Sequence, residues 1–97
     1  MFHVEDVGGC VRGWFASVES AERRNAVLRW MRAASSGPDA VVSYAWQRVG
    51  TGHHLLASNV PEANVVMVFT WATAPTRVVM VVDVIDIDGV ERSPTTE

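Results

Sequence analysis

Four residues near the middle of the chain, Tyr44, Arg48, His53 and His54, have the types and spacing that chemistry would need. They flank Gly50-Thr51-Gly52, which turns the chain sharply between two strand-like stretches. In that arrangement Arg48 and one histidine face a common groove. The guanidinium would hold a phosphate, and the imidazole, which titrates near neutral pH, would move a proton. Strand alternation also gives a plainer arrangement, in which adjacent histidines point to opposite faces, one solvated and one packed.

A second set is suited to binding. Arg23, Arg24, Arg29 and Arg32 lie on one predicted helix with only Glu19 and Glu22 nearby, and Trp30 falls one position off the apolar stripe of that helix. Tryptophan and arginine anchor protein interfaces. Arg24, Arg29, Trp30 and Arg32 are therefore the expected partner-binding surface, with an arginine-coated solvated helix as the plainer reading.

A third set does not make a metal site. With Gly89 as the central glycine of a calcium loop, Val84 stands where an acid is needed and Thr95 where the bidentate glutamate belongs. On a regular strand Asp86 and Asp88 face one way and Asp83 the other. These acids, with Glu91, are expected to solvate a strand end and to blunt a sheet edge. Cys10 is the only cysteine, which excludes an internal disulfide, and its place on a predicted buried helix face makes an inert thiol the expectation. Gly8-Gly9 and Gly50-x-Gly52 lack the strand and spacing of a phosphate loop. No metal or cofactor is implied.

The elements that position these groups centre on Asn64 to Ile87. Two apolar runs, Val65 to Trp71 and Val78 to Ile85, flank Ala74-Pro75-Thr76-Arg77 and predict a central β-hairpin. Both parities are apolar over 65–69 and 78–82, so both faces of the sheet there should be covered, by helices or by a partner. Upstream, a helix is expected from Glu5-Asp6 to about Val18, burying Val7, Cys10 or Val11, Trp14, Phe15 and Val18. Ser20 should cap a second helix that Gly37-Pro38 ends, burying Val27, Leu28, Met31 and Ala34. On that placement, Leu28→Ala and Met31→Ala should each cost about 2 to 5 kcal/mol. Residues 41–49, with Val42, Tyr44 and Trp46 on one side, and 53–58 read as strands, and Met1 to Val4 as a short further one. The fold class is α+β: a two-helix hairpin packed on an antiparallel three- or four-stranded sheet, one domain over 1–89 with a loose tail over 90–97.

Composition narrows the function classes. The formal charge is −3, too small for a nucleic-acid coat. Apolar residues make up 48% of the chain without glycine, which is rich for a single small domain and leaves surface for a partner, a homodimer included. All eight basic residues are arginine, as expected of a GC-rich genome such as that of an actinobacterium or its phage. No basic segment followed by an apolar one opens the chain, and neither central run is long enough to span a membrane, so a cytoplasmic location is expected.

Val11-Arg12-Gly13-Trp14-Phe15, then Ala21 to Ala34 closing at Gly37-Pro38, then Gly52-His53-His54-Leu55-Leu56 and the paired apolar strands 65–71 and 78–85 together resemble the RelE/ParE-type toxin superfamily, including its HigB-like phage-derived branch. The resemblance is one of pattern and covers most of the chain. It implies a protein partner, an antitoxin or a cellular target, and in the active members cleavage of ribosome-bound messenger RNA by basic and aromatic groups on the sheet. That reaction needs a base for the 2′-hydroxyl, cations for the phosphate and an acid for the leaving oxygen. This chain has no arginine at Asn64 to Val66, where many relatives begin a strand with one, and has Asp83, Asp86 and Asp88 where relatives often carry basic or aromatic groups. The first expectation is thus a toxin-like module that grips a macromolecule. The alternatives are a non-catalytic phage or prophage protein that modulates a host protein, and an active endoribonuclease using Tyr44, Arg48, His53 or His54.

Overall fold

The structure, a computed structural model, describes residues 1–46 and 55–87. In chain order the elements are β1 (His3–Asp6), α1 (Cys10–Ser17), α2 (Ala21–Ala34), β2 (Tyr44–Trp46), β3 (Leu55–Val60), β4 (Val65–Ala72) and β5 (Val78–Asp86). Short 3-10 turns stand at Val7–Gly9, Pro38–Ala40 and Pro61–Ala63. The strands form one five-stranded sheet in the order β1-β5-β4-β3-β2. Strands β2 to β5 are an antiparallel meander, and β1 joins β5 in parallel. The expected α+β class and the central β4–β5 hairpin are present. The sheet of three or four antiparallel strands is corrected to a mixed sheet of five, because the N-terminal segment pairs with the far side of β5.

Side-chain alternation divides the sheet into two faces. On the helical face, Val60, Val65, Met67, Phe69, Val79 and Val81 pack with Val11, Trp14 and Val18 from α1 and its end and with Ala26, Val27, Trp30 and Ala34 from α2. On the other face, Ala57, Val66 and Val68 form a separate cluster with Trp46, Leu55, Val82, Ile85 and Ile87. An irregularity in register between Val68 and Phe69 places Asp83 opposite Val68 and Val81 opposite Phe69, so Val82 is the extra residue. No described element packs on this second, open face.

The first helix begins at Cys10, later than expected. Gly8 and Gly9 have φ of 68° and 71°, a left-handed turn that suits glycine, and they bend the chain from β1 into α1 instead of lying within the helix. The second helix is capped as expected: the Ser20 hydroxyl accepts the Arg23 N–H at 3.2 Å, and Gly37 with φ of 139° ends the chain's helical path. Its buried stripe differs, however. Ala26, Val27, Trp30 and Ala34 face the sheet, while Leu28 is 43% exposed and Met31 is half-buried. At 100° per residue the helix is rotated by roughly 70° from the predicted placement. The rotation has a visible cause in Trp30, whose indole N–H donates to the buried Ser58 hydroxyl at 2.8 Å and whose ring meets Phe69 edge-on at 5.3 Å.

β2 is limited to Tyr44–Trp46, and Val42 is almost fully exposed before it. β1 pairs with β5 only over Val78–Val81, so Asp83 and Asp86 lie on a stretch of β5 that has no described strand on that side. Residues 47–54 and 88–97, and with them Arg48, His53, His54, Asp88, Glu91 and the predicted tail, lie outside the described residues. Among the described residues, no helix is long and apolar enough to cross a membrane.

The core assignment has measurable consequences for stability. Phe69→Ala, at a fully buried site, should cost about 3 to 5 kcal/mol. Trp30→Phe should cost about 1 to 3 kcal/mol by stranding the buried Ser58 hydroxyl. Leu28→Ala should cost less than about 1 kcal/mol, in place of the larger loss expected from the sequence. Urea denaturation of the three variants checks the order, and a Leu28 effect as large as that of Phe69 would overturn the rotation of α2.

Candidate functional site

The open face has an apolar middle and a polar surround. The register places Leu55, Ala57 and Asn59 of β3 beside Val66, Val68 and Thr70 of β4, then Met80, Asp83 and Ile85 of β5. At one side β2 adds Tyr44 and Trp46, paired with Ala57 and Leu55. At the other, β1 adds His3 and Glu5, with Glu5 opposite Met80. Ala57 and Val68 are fully buried and pack with the larger Trp46 and Leu55 on one flank and Val82, Ile85 and Ile87 on the other. The flanking Trp46, Leu55, Val82, Ile85 and Ile87 are half-buried, and of the large apolar or aromatic strand residues on this face only Tyr44 is exposed.

Tyr44 is on this face, 46% exposed, and its hydroxyl donates to the Asn59 side-chain oxygen at 3.1 Å. Of the predicted catalytic group it alone lies within the described residues. The titratable side chains that the strands bring to the open face are His3, Glu5, Tyr44 and Asp83. Two carboxylates beside the apolar cluster disfavour a phosphate backbone on this face.

The predicted partner surface on α2 is partly rearranged. Trp30 is buried, which removes it from that surface. Arg24 is half-buried and donates to the Val18 carbonyl, closing the loop between the helices. Arg29 and Arg32 are exposed, as is Leu28, which takes over from Trp30 as the apolar member of the stripe. Beside them Glu22, Asn25, Arg29 and Glu62 line a polar groove of about 470 Å³.

Arg23 is engaged in holding the fold. Its guanidinium donates to the Ala63 carbonyl at 2.8 Å and to Asp86 at 2.9 Å, and lies 5.5 Å from the centre of the Trp14 ring. The Trp14 indole N–H donates to the same Asp86 oxygen at 3.3 Å. Asp86 is thus on the helical face and Asp83 on the open one, as strand alternation predicted, and the two acids do not converge.

Cys10 and Asp6 form a cap. The Asp6 carboxylate accepts the Val11 and Arg12 N–H groups at 2.8 and 3.0 Å and the Cys10 thiol at 3.3 Å. Burial pushes the Asp6 pKa up, but the hydrogen bonds from Val11, Arg12 and Cys10, with the Arg12 charge, outweigh it and hold the carboxyl below its ordinary 3.8. Burial, then the hydrogen bond to Asp6 and its charge, push the Cys10 thiol up to about 11. A thiol so protonated at neutral pH is a poor nucleophile.

Comparison with family models, with curated proteins and with solved structures gave no match. The open face was legible only indirectly, through the double-sided apolar runs of β4 and β5. The exposure of Leu28 and the role of Arg23 depend on the helix rotation, for which only the size of Trp30 was a signal.

Two outcomes follow at the cap. Since the folded pKa of Asp6 lies below the unfolded one, its contribution is complete above about pH 4 and is lost as pH falls through the folded value. The stability advantage of wild type over Asp6→Asn in urea melts should therefore be constant near neutrality and shrink below pH 4; a pH-independent gap would contradict the cap. Cys10 should alkylate with iodoacetamide at pH 8 at least roughly tenfold more slowly than a free cysteine peptide, and a rate matching the peptide would show the thiol unprotected.

Proposed function

We propose that this chain is a small binding module of RelE/ParE-toxin-like shape that grips a macromolecular partner, an antitoxin or a cellular target, through the open face of its sheet. The observation that carries the reading is a second apolar cluster, in which half-buried Trp46, Leu55, Val82 and Ile85 pack around Ala57, Val66 and Val68 on a face without a described helix. The element order supports the shape: two helices followed by the β2-to-β5 meander. Binding, not RNA cleavage, is its work. Glu5 and Asp83 stand on the face where a phosphate would have to lie, and Tyr44 already donates its hydroxyl proton to Asn59.

Expression in a bacterial host tests this reading, with growth and total RNA followed together. Wild type should arrest growth with messenger RNA intact. Leu55→Arg, checked by circular dichroism for retained fold, should relieve the arrest, whereas His53→Ala with His54→Ala should not. Arrest accompanied by ribosome-dependent cleavage and lost in the double histidine variant would replace the binding reading with the ribonuclease. Normal growth of wild type would remove the toxin-like role.

A further inference from the structure

We infer that the outer edge of β2 pairs, strand to strand, with the same edge of a second copy of this chain, in a two-fold symmetric dimer whose sheet runs on through both copies. The contact uses the border of the sheet and is independent of the helix-free face.

The hydrogen-bond pattern shows what this edge offers. The Ile87 N–H donates to the Asn64 carbonyl at 2.7 Å, which makes Val65 and Asp86 a non-hydrogen-bonded pair and turns the backbone groups of Val65 and Met67 toward β3. Carried through the register, Leu56, Ser58 and Val60 bond to β4, and Leu55 and Ala57 bond to β2. Their partners are Trp46 and Tyr44, so Ala45, and Ser43 before it, turn their N–H and C=O groups outward. β2 is the last strand of the sheet, with no described strand beyond it. Val41 is already extended, with φ of −118° and ψ of 145°, so the strand can lengthen at its N-terminal end.

The side chains favour a second copy as the occupant. Val41-Val42-Ser43-Tyr44-Ala45-Trp46 carries no charge and no proline. The other unpaired stretches along the border of the sheet carry acids, Glu5 and Asp6 on β1 and Asp83 and Asp86 on β5. Charge is the usual guard of an edge, and only the β2 edge lacks it, so it can meet itself without opposing like charges. With Ser43 of the two copies paired across the axis, Val42 lies opposite the partner's Tyr44 and Val41 opposite the partner's Ala45. The Val42–Tyr44 pairs are then the non-hydrogen-bonded ones, whose side chains approach most closely. Val42 is 89% and Tyr44 46% exposed, and this register covers both while it uses the outward groups of Ser43 and Ala45. An unrelated extended peptide would meet the same backbone, but this edge has no charge by which to select one. So short a contact falls below ~1,200 Å², which makes the dimer weak, and its two-fold symmetry stops growth at two.

Sedimentation velocity on the purified full chain, from micromolar to near-millimolar concentration, supplies the test. Wild type should move from monomer toward dimer mass and no further, with little change on adding salt. Ala45→Pro removes an outward N–H and no bond to β3, and should weaken association roughly tenfold or more. Ser43→Lys and Ser43→Glu each bring like charges together on the axis and should do the same. Their equimolar mixture should recover a 1:1 dimer at least as strong as that of wild type, a result that no folding defect imitates. A Glu19→Arg control, exposed between the helices, should dimerise as wild type does. Wild type that stays monomeric, or that grows past the dimer, overturns the inference. So does a dimer indifferent to Ala45→Pro and to both Ser43 variants, or a mixture of the two Ser43 variants no stronger than either alone.

Discussion

The requirement that an apolar sheet be shielded on both faces governs this protein. β4 and β5 send valine, methionine, phenylalanine and isoleucine to either side, and Met67, Phe69, Val79 and Val81 on one side are as fully buried as Val68 on the other. At about 25 cal/mol per Å² of apolar surface, neither side can be left wet without weakening the fold. The helices α1 and α2 close one side. The other is apolar and buried where it is central and acidic toward β1, with no described helix over it.

Closing one side requires the helices to sit at a fixed angle and roll, and polar contacts set both. Trp30 can reach Ser58 only if Ala26 and Ala34 face the sheet with it, and this forces Leu28 outward. Arg23 ties α2 to the Pro61–Ala63 turn and to the end of β5, and Trp14 brings α1 to the same Asp86 oxygen. The Arg23–Asp86 pair is partly exposed, so its strength as an ion pair is modest. Its value lies in geometry, since α1, α2 and β5 meet at one carboxylate and Arg23 ties in the Pro61–Ala63 turn. The same carboxylate is thereby withdrawn from the open face, where Asp83 remains.

Strand positions were legible in the sequence because they depend on local composition. Val65–Ala72 and Val78–Asp86 are rich in β-branched residues and bounded by turn residues, and the double-sided apolar pattern foretold two faces to be covered. The Ser20 cap and the Gly37-Pro38 stop were legible for the same local reason. The roll of α2 was not, because Leu28 and Met31 are as apolar as Ala26 and Trp30, and the choice is made by Ser58, some thirty residues away. The parallel pairing of β1 was equally hidden, since it joins residues separated by most of the chain. Of the candidate site, Tyr44 lies on a strand as expected, but that strand is short and mostly exposed; Trp30 is buried by the roll of α2, and Leu55 and Ile85 lie on a face with no described helix over it.

The measurement that addresses the working surface most directly is site-specific photo-crosslinking. A benzophenone amino acid at position 55, on the open face, is compared with the same group at position 12, exposed on α1, in both purified and cell-expressed protein. The account predicts covalent adducts from position 55 and none above background from position 12. Adducts from position 12 alone, or equal yields from both, would contradict the open sheet face as the place where this chain meets its partner.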